Sequence, residues 1–250
     1  MTIRGGAGGR STIAVVAAVV LAMGCKSSKA DESALAADSL PKASTPVVPD
    51  SVRAKGQTVA ASHMVLFIGT SLTAGLGLSP DSAYPQLIQQ KIEQAGLPFE
   101  VVNAGESGET TAGLSRRLDW LLRGNFDVVV VESGANDGLR GTPVATVKAN
   151  LRTILSRIRT ARPQAKVLLV QMEAPPNLGP EYTNAFHAMY ADVAREMGAT
   201  LVPFLLQDVA GKRDLNQGDG IHPNQRGEHI VADNVWRSIE PVLRQVGTGL

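Results

Sequence analysis

Met64-Val65-Leu66-Phe67-Ile68-Gly69, followed at once by Thr70-Ser71-Leu72-Thr73, is the stretch on which the fold turns. Five apolar residues in a row with no polar alternation are what a strand buried on both faces requires, and the glycine marks its end. Comparable runs recur at Phe99–Ala104, Asp127–Glu132, Lys166–Met172 and Thr200–Phe204. Between them, Tyr84–Ala95, Thr111–Arg123, Val144–Ala161 and Tyr182–Met197 carry apolar residues at helical spacing, and Gln225–Val246 predicts a last helix bent or divided by Pro241. Thr142-Pro143 reads as a helix start, with Thr as cap and Pro in the first turn. Five strands alternating with helices predict an α/β fold: a three-layer α/β/α sandwich around a five-stranded parallel sheet with right-handed crossovers. In such sheets ligands sit beyond the carboxyl ends of the strands, so the loops that follow each strand carry the search for chemistry.

The surroundings of this core narrow the function. The chain has 250 residues, 44% hydrophobic and 19% charged, enough for a sizeable core and unlike collagenous or disordered sequences. A single cysteine excludes an intrachain disulfide and a cysteine-rich zinc site. With 24 basic and 23 acidic residues the net charge is +1, and no dense Lys/Arg stripe suggests a nucleic-acid partner. Residues 1–24 carry Arg4 and Arg10, no acid, and an uncharged run from Ser11 to Gly24, the layout of a secretory signal too short to be a spanning helix. Residues 25–61, rich in Ala, Ser, Asp, Lys and Pro without a sustained hydrophobic period, read as a flexible tether. A folded domain is expected over 62–250.

Four loops hold the candidate chemistry. Ser71 in Gly69-Thr70-Ser71-Leu72-Thr73 is either a helix cap or a nucleophile in need of a base and of donors for an oxyanion. Asn103-Ala104-Gly105-Glu106-Ser107-Gly108 and Gly134-Ala135-Asn136-Asp137-Gly138 are polar loops that, taken alone, could be only turns, since Gly and Asn accept positive φ. In Asp219-Gly220-Ile221-His222-Pro223-Asn224, an Asp three residues before a His can accept the ring N–H and orient the other nitrogen. Such a pair also occurs for purely structural reasons.

In order and spacing these loops resemble the four sequence blocks of the SGNH (GDSL-type) hydrolases, over about Met64 to Val246. The resemblance is closest to the bacterial thioesterase I/arylesterase/lysophospholipase group, through Val101-Val102-Asn103-Ala104, Ser107-Gly108-Glu109-Thr110-Thr111, Gly134–Gly141 and Asp219–Asn224. It implies an SGNH, flavodoxin-like fold, Ser71 as nucleophile, His222 as base and later acid, and Asp219 as its orienting carboxylate. It also implies an oxyanion hole built from the backbone N–H groups of Ser71 and Gly108 and the side-chain amide of Asn136. A glycine at 108 would let its N–H approach the substrate unobstructed, and Asn136 offers a neutral donor. The sequence departs from the family at Thr70, where the pattern has Asp; a modest effect on rate or stability is expected from it. Leu21-Ala22-Met23-Gly24-Cys25 resembles a lipoprotein signal, which implies lipidation of Cys25, export, and a periplasmic or cell-envelope location on a membrane anchor.

Other candidates carry less. His222 and His229 straddle a proline without further ligands, so no metal is expected, and His63 and His187 read as ordinary surface or packing residues. Glu106, Glu132 and Asp137 near the site loops allow a paired-carboxylate glycosidase only by leaving the Ser, His and Asn unexplained. Residues 211–219 lack the ordered spacing of a calcium loop. The expected activity is hydrolysis of carboxylic esters or thioesters of acyl chains through an acyl-enzyme, by a monomer, with no cofactor. The loop Pro175–Pro180 is expected to wall the acyl pocket, with Leu178 setting chain length. The alternatives are a carbohydrate O-deacetylase, against which the few aromatics argue, and a non-catalytic lipoprotein that binds acylated ligands.

Overall fold

The computed structural model describes residues 63–248; the expected signal segment, Cys25 and the tether lie outside them. Strands β1 (His63–Gly69), β2 (Phe99–Gly105), β3 (Val128–Glu132), β4 (Lys166–Val170) and β5 (Thr200–Val202) form one sheet in the order β2-β1-β3-β4-β5, every pair parallel. Val65–Ile68, Val128–Val131 and Leu168–Val170 are almost wholly buried, as expected for central strands covered on both faces. The edge strand β2 is only partly covered, and Glu100 on it is exposed.

The helices lie on both sides of the sheet. Helix α2 (Tyr84–Gln94) packs on α7 (Gln225–Gly247), while α5 (Val144–Ala161) packs between α3 (Thr111–Leu121) and α6 (Pro180–Met197). Two short helices, α1 (Ser71–Ala74) and α4 (Ala135–Leu139), follow β1 and β3 directly. At four and five residues they are too short to show a hydrophobic period. The sheet order reverses between β1 and β3, whose neighbouring crossovers diverge and leave a crevice at the strands' carboxyl ends. That crevice is where α1 and α4 begin.

Several boundaries differ from expectation for identifiable reasons. Strand β5 stops at Val202 because Pro203 has no N–H for the ladder. Pro143, not Thr142, is the N-cap of α5: its own carbonyl accepts the first helical hydrogen bonds, from Thr146 and Val147. The carbonyl of Thr142 instead takes the hydroxyl of Tyr182. Helix α7 runs through Pro241 undivided, and because that proline is exposed, water can satisfy the carbonyl one turn earlier. Asn224 caps this helix by accepting the N–H of Gly227 at 3.1 Å.

One buried group makes stability depend on pH. Glu228, in the first turn of α7, is 2% exposed and accepts the backbone N–H of Tyr84 at 2.9 Å. Burial pushes its carboxyl up to about 8, against a smaller opposing pull from that N–H. The folded protein therefore holds a proton that the unfolded chain gives up at ordinary carboxyl pH, and stability falls as pH rises through this window. Glu228→Gln keeps an acceptor for Tyr84 and removes the charge. By urea denaturation it is expected to match the parent near pH 4 and exceed it above pH 8 by on the order of 4 kcal/mol. A stability difference that does not change with pH would show that Glu228 is not the titrating group.

Candidate active site

Ser71 is the first residue of α1, at the carboxyl end of β1, and does not cap the helix; Thr70 holds the N-cap position without a side-chain cap bond. Helix α1 can sit directly on the sheet because the end of β2 is glycine: a Cβ on Gly105 would collide with the backbone N of Ala74. The Ser71 Oγ lies 2.8 Å from Nε2 of His222, 151 residues away in sequence. On the other edge of that ring, Nδ1 lies 2.7 Å from Oδ2 of Asp219.

The loop carrying His222 is fixed from several directions. Asn216 and Pro223 form an antiparallel bridge, and the N–H of Gln217 donates to the carbonyl of His222 at 2.7 Å. The Gln217 side-chain amide donates to the carbonyls of Leu76 and Pro223 at 2.7 and 2.9 Å, tying the histidine loop to the chain just after α1. Asp219 Oδ1 accepts the N–H groups of Ile221 and His222 at 2.9 and 3.0 Å. The N–H of His222, then its ring, then the N–H of Ile221 draw the Asp219 carboxyl down to about 2. Its side chain is 45% exposed, so these hydrogen bonds, and not burial, keep it ionised.

The remaining candidate donors converge from β2 and β3. Ser71, Gly108, Asn136 and His222 all line one cavity of about 250 Å³. Gly108 adopts φ +78°, and a Cβ there would meet no neighbour. The positive φ by itself calls for glycine at this position. Helix α4 clamps this loop: the amide of Asn136 donates to the carbonyl of Glu109 at 3.0 Å, and the buried Asp137 carboxylate accepts the N–H and hydroxyl of Thr111, both at 2.8 Å. A guanidinium N–H of Arg140 donates to the carbonyl of Gly108 at 3.1 Å.

The departure at Thr70 has a partner that sequence did not reveal. Glu132, fully buried at the end of β3, accepts the N–H of Thr70 at 2.7 Å, its hydroxyl at 2.9 Å, and the hydroxyl of Thr73 at 3.0 Å. Burial pushes its carboxyl up, while these donors pull it back. Position 70 therefore serves Glu132 as a donor. An Asp there could donate only by carrying a proton. Thr70→Val should cost about 1–3 kcal/mol of stability by stranding one lone pair of a buried carboxylate. Thr70→Asp should leave turnover within about tenfold of the parent at mildly acidic pH, where the two carboxyls share a proton, and lose stability above it. A gain of several orders of magnitude with Asp would show that Thr70 cripples the site.

A second cavity, of about 320 Å³, adjoins the first through Leu72, Ala135, Leu139 and Ile221, and extends under Met172 and Phe204. Its lining is almost wholly apolar. Pro175 and Pro176 form part of its wall, but Leu178 does not: it turns toward Gly141. Met172 and Phe204, read from sequence as strand residues, lie past the ends of β4 and β5 and line the cavity instead. Of the remaining histidines, His187 is exposed on α6 with Nδ1 2.6 Å from Glu173 Oε1, and His63 lies 3.2 Å from Asp127. No group of three His, Cys, Asp or Glu side chains among the described residues is placed to hold a metal.

Residues 67–230 match the GDSL-like Lipase/Acylhydrolase family. The chain belongs to that family. It is 40% identical over 185 residues to the esterase TesA of Pseudomonas aeruginosa, covering 74% of this chain and 91% of that one. It is 37% identical over 185 residues to the thioesterase 1/protease 1/lysophospholipase L1 of Escherichia coli K12, covering 74% and 86%. The crystal structure of TesA superposes with a TM-score of 0.69 at 39% identity, over 72% of this chain and 99% of that one. The esterase EstA from Pseudoalteromonas, in a structure inhibited by monoethylphosphonate, gives 0.69 at 35% identity over 73% and 100%. The protein is accordingly a hydrolase of ester bonds, and these relatives favour neither the sugar deacetylase nor the non-catalytic binder.

Proposed function

We propose that the protein hydrolyses acyl esters or thioesters through an acyl-enzyme on Ser71. The observation that carries this is the relay Asp219–His222–Ser71, with separations of 2.7 and 2.8 Å, opening into a cavity that Gly108 and Asn136 also line. Ser71 Oγ attacks the carbonyl carbon while His222 Nε2 takes its proton, and Asp219 holds Nδ1–H so that Nε2 faces the serine. The N–H groups of Ser71 and Gly108 and the amide of Asn136 stabilise the oxyanion. His222 then gives the proton to the leaving alcohol or thiol. Water, deprotonated by the same nitrogen, releases the acid. The acyl chain lies in the apolar cavity between Leu72, Met172 and Phe204.

The same reading extends to the rest of the chain. Residues 1–24 act as an export signal, Cys25 as the lipidated first residue, and 25–61 as a tether between a membrane anchor and a monomeric domain over 62–250. The uncharged run before a lone cysteine and the Pro-rich composition after it support this. Among the described residues no helix is long and apolar enough to cross a membrane.

The test is hydrolysis of p-nitrophenyl esters from acetyl to palmitoyl by the full chain, alongside labelling with a fluorophosphonate. Activity that peaks beyond acetyl, with one label per chain, is the expected result. An optimum confined to acetyl would replace the acyl-chain reading with a deacetylase. Silence in both assays from folded protein would leave a binding protein.

A further inference from the structure

Helix α1 cannot orient itself. With four residues it closes a single hydrogen bond of the i→i−4 kind, from the N–H of Ala74 to the carbonyl of Thr70 at 2.9 Å, and one such bond does not offset the cost of fixing a turn. Yet two groups of Ser71 have to face the catalytic cavity together: its Oγ, and its N–H, which as the first of the helix has no intrahelical acceptor. The hold comes from outside. On one side the amide of Asn103 donates to the carbonyl of Thr73 at 2.7 Å, and Gln217 reaches Leu76. On the other, three donors from the residues that flank Ser71 and Leu72 meet at one group: Glu132 accepts the N–H and hydroxyl of Thr70 and the hydroxyl of Thr73.

The nucleophile loop is shaped around this carboxylate. Thr70 stands at the N-cap position, but its hydroxyl goes to Glu132 and not to the helix. A Cβ on Gly69 would collide with both the Thr73 hydroxyl and Glu132 Oε2, so the glycine that ends β1 is what lets the carboxylate reach α1. Glu132 is wholly buried, and no cation acts on it among the described residues. Packing alone would be served at least as well by an apolar side chain of this size.

We propose that Glu132 is a positioning residue for catalysis: its carboxylate clamps Thr70 and Thr73 so that the Oγ of Ser71 stays aligned with His222 and the N–H of Ser71 stays turned to the oxyanion. This rests on the esterase reading above. Glu132 does not line the catalytic cavity, so it acts through the helix and not on the substrate. A displacement of about 1 Å at a reacting group can cost about a hundredfold in rate. The network runs one step farther out: the Thr73 hydroxyl, having donated to Glu132, accepts the hydroxyl of Tyr84 at 2.8 Å. Tyr84 is as deeply buried but makes no hydrogen bond to the carboxylate, which makes it the control for a purely structural role.

The experiment measures kcat and KM for p-nitrophenyl butyrate, and the rate of fluorophosphonate labelling, on the full chain well below the lowest thermal midpoint, in the parent, Glu132→Gln, Thr73→Val and Tyr84→Phe. Gln keeps the size of Glu but turns two acceptor oxygens into one. The expected result is a fall in kcat of about ten- to a hundredfold in Glu132→Gln and about three- to tenfold in Thr73→Val, with KM within about twofold and labelling slowed in step. Tyr84→Phe should lower the midpoint and leave kcat within about twofold of the parent. Parent kcat in Glu132→Gln or Thr73→Val, however far their midpoints fall, would overturn the clamp. So would a loss in Tyr84→Phe that matches theirs. Should Glu132→Gln fail to fold, the contrast between Thr73→Val and Tyr84→Phe decides by itself. A parent protein that neither cleaves nor labels would overturn the esterase reading, and the clamp with it, whereas a working parent with indifferent variants overturns the clamp alone.

Discussion

Ser71→Ala is expected to abolish ester hydrolysis while leaving the fold unchanged. The Ser71 Oγ hydrogen bonds to His222 Nε2 across 2.8 Å, so its removal deletes the attacking atom and takes nothing else from the packing. Ala is also a favourable residue in the first turn of a helix, where Ser71 stands. Members of a nucleophile and base unit act together, so the loss should be about four to six orders of magnitude in kcat, with binding of substrate retained. Fluorophosphonate labelling should vanish in parallel, and the thermal midpoint should stay within a few degrees of the parent. The residue of activity left by the variant is the deciding quantity. More than about one part in a hundred would point to a second nucleophile or to direct water attack, and the acyl-enzyme route through Ser71 would be lost.

Asn136→Ala carries the next largest effect. The amide has two hydrogens; one reaches the carbonyl of Glu109 at 3.0 Å, and the other is available in the cavity that holds Ser71. A preorganised donor of this kind acts on charge that develops only in the transition state, and its removal costs about 2.7–4 kcal/mol, or a hundred- to a thousandfold in kcat. KM should move little, because the ground-state carbonyl makes a weaker demand on the donor. The lost hold on Glu109 is a separate matter, which a thermal melt would register and the split between kcat and KM would not. Turnover within a few-fold of the parent would remove Asn136 from the oxyanion hole.

What the sequence disclosed follows from the range of the interactions involved. Val65–Ile68 and Val128–Val131 were legible because strands covered on both faces need no alternation, and burial alone dictates their composition. Asp219 and His222 could be paired on sight because three residues separate them. Ser71 and His222 could be joined only through the likeness of four loops to a known family, since no local signal spans 151 residues. Nothing in the sequence linked Thr70 to Glu132, 62 positions on, or Gln217 to Leu76, 141 positions back. Both join residues far apart in the chain through a few hydrogen bonds and leave no periodicity. Phe204 and Met172 misled for a different reason: an apolar residue after a strand has the same composition whether it extends the ladder or lines a cavity. Sequence reasoning could have placed Phe204 by noting that Pro203 ends the ladder; Met172 carried no such signal.

The Gln217 tether has a consequence in time. The nucleophile emerges early in synthesis, on a helix that β1 and β2 can position, while its base belongs to a loop that is pinned only when Gln217 reaches back to Leu76 and Asn224 begins the last helix. A nascent chain that has not yet produced this loop holds a serine with ordinary alcohol reactivity. Competence to cut esters therefore waits until the chain has been made past Asn224, well over a hundred residues after the nucleophile itself.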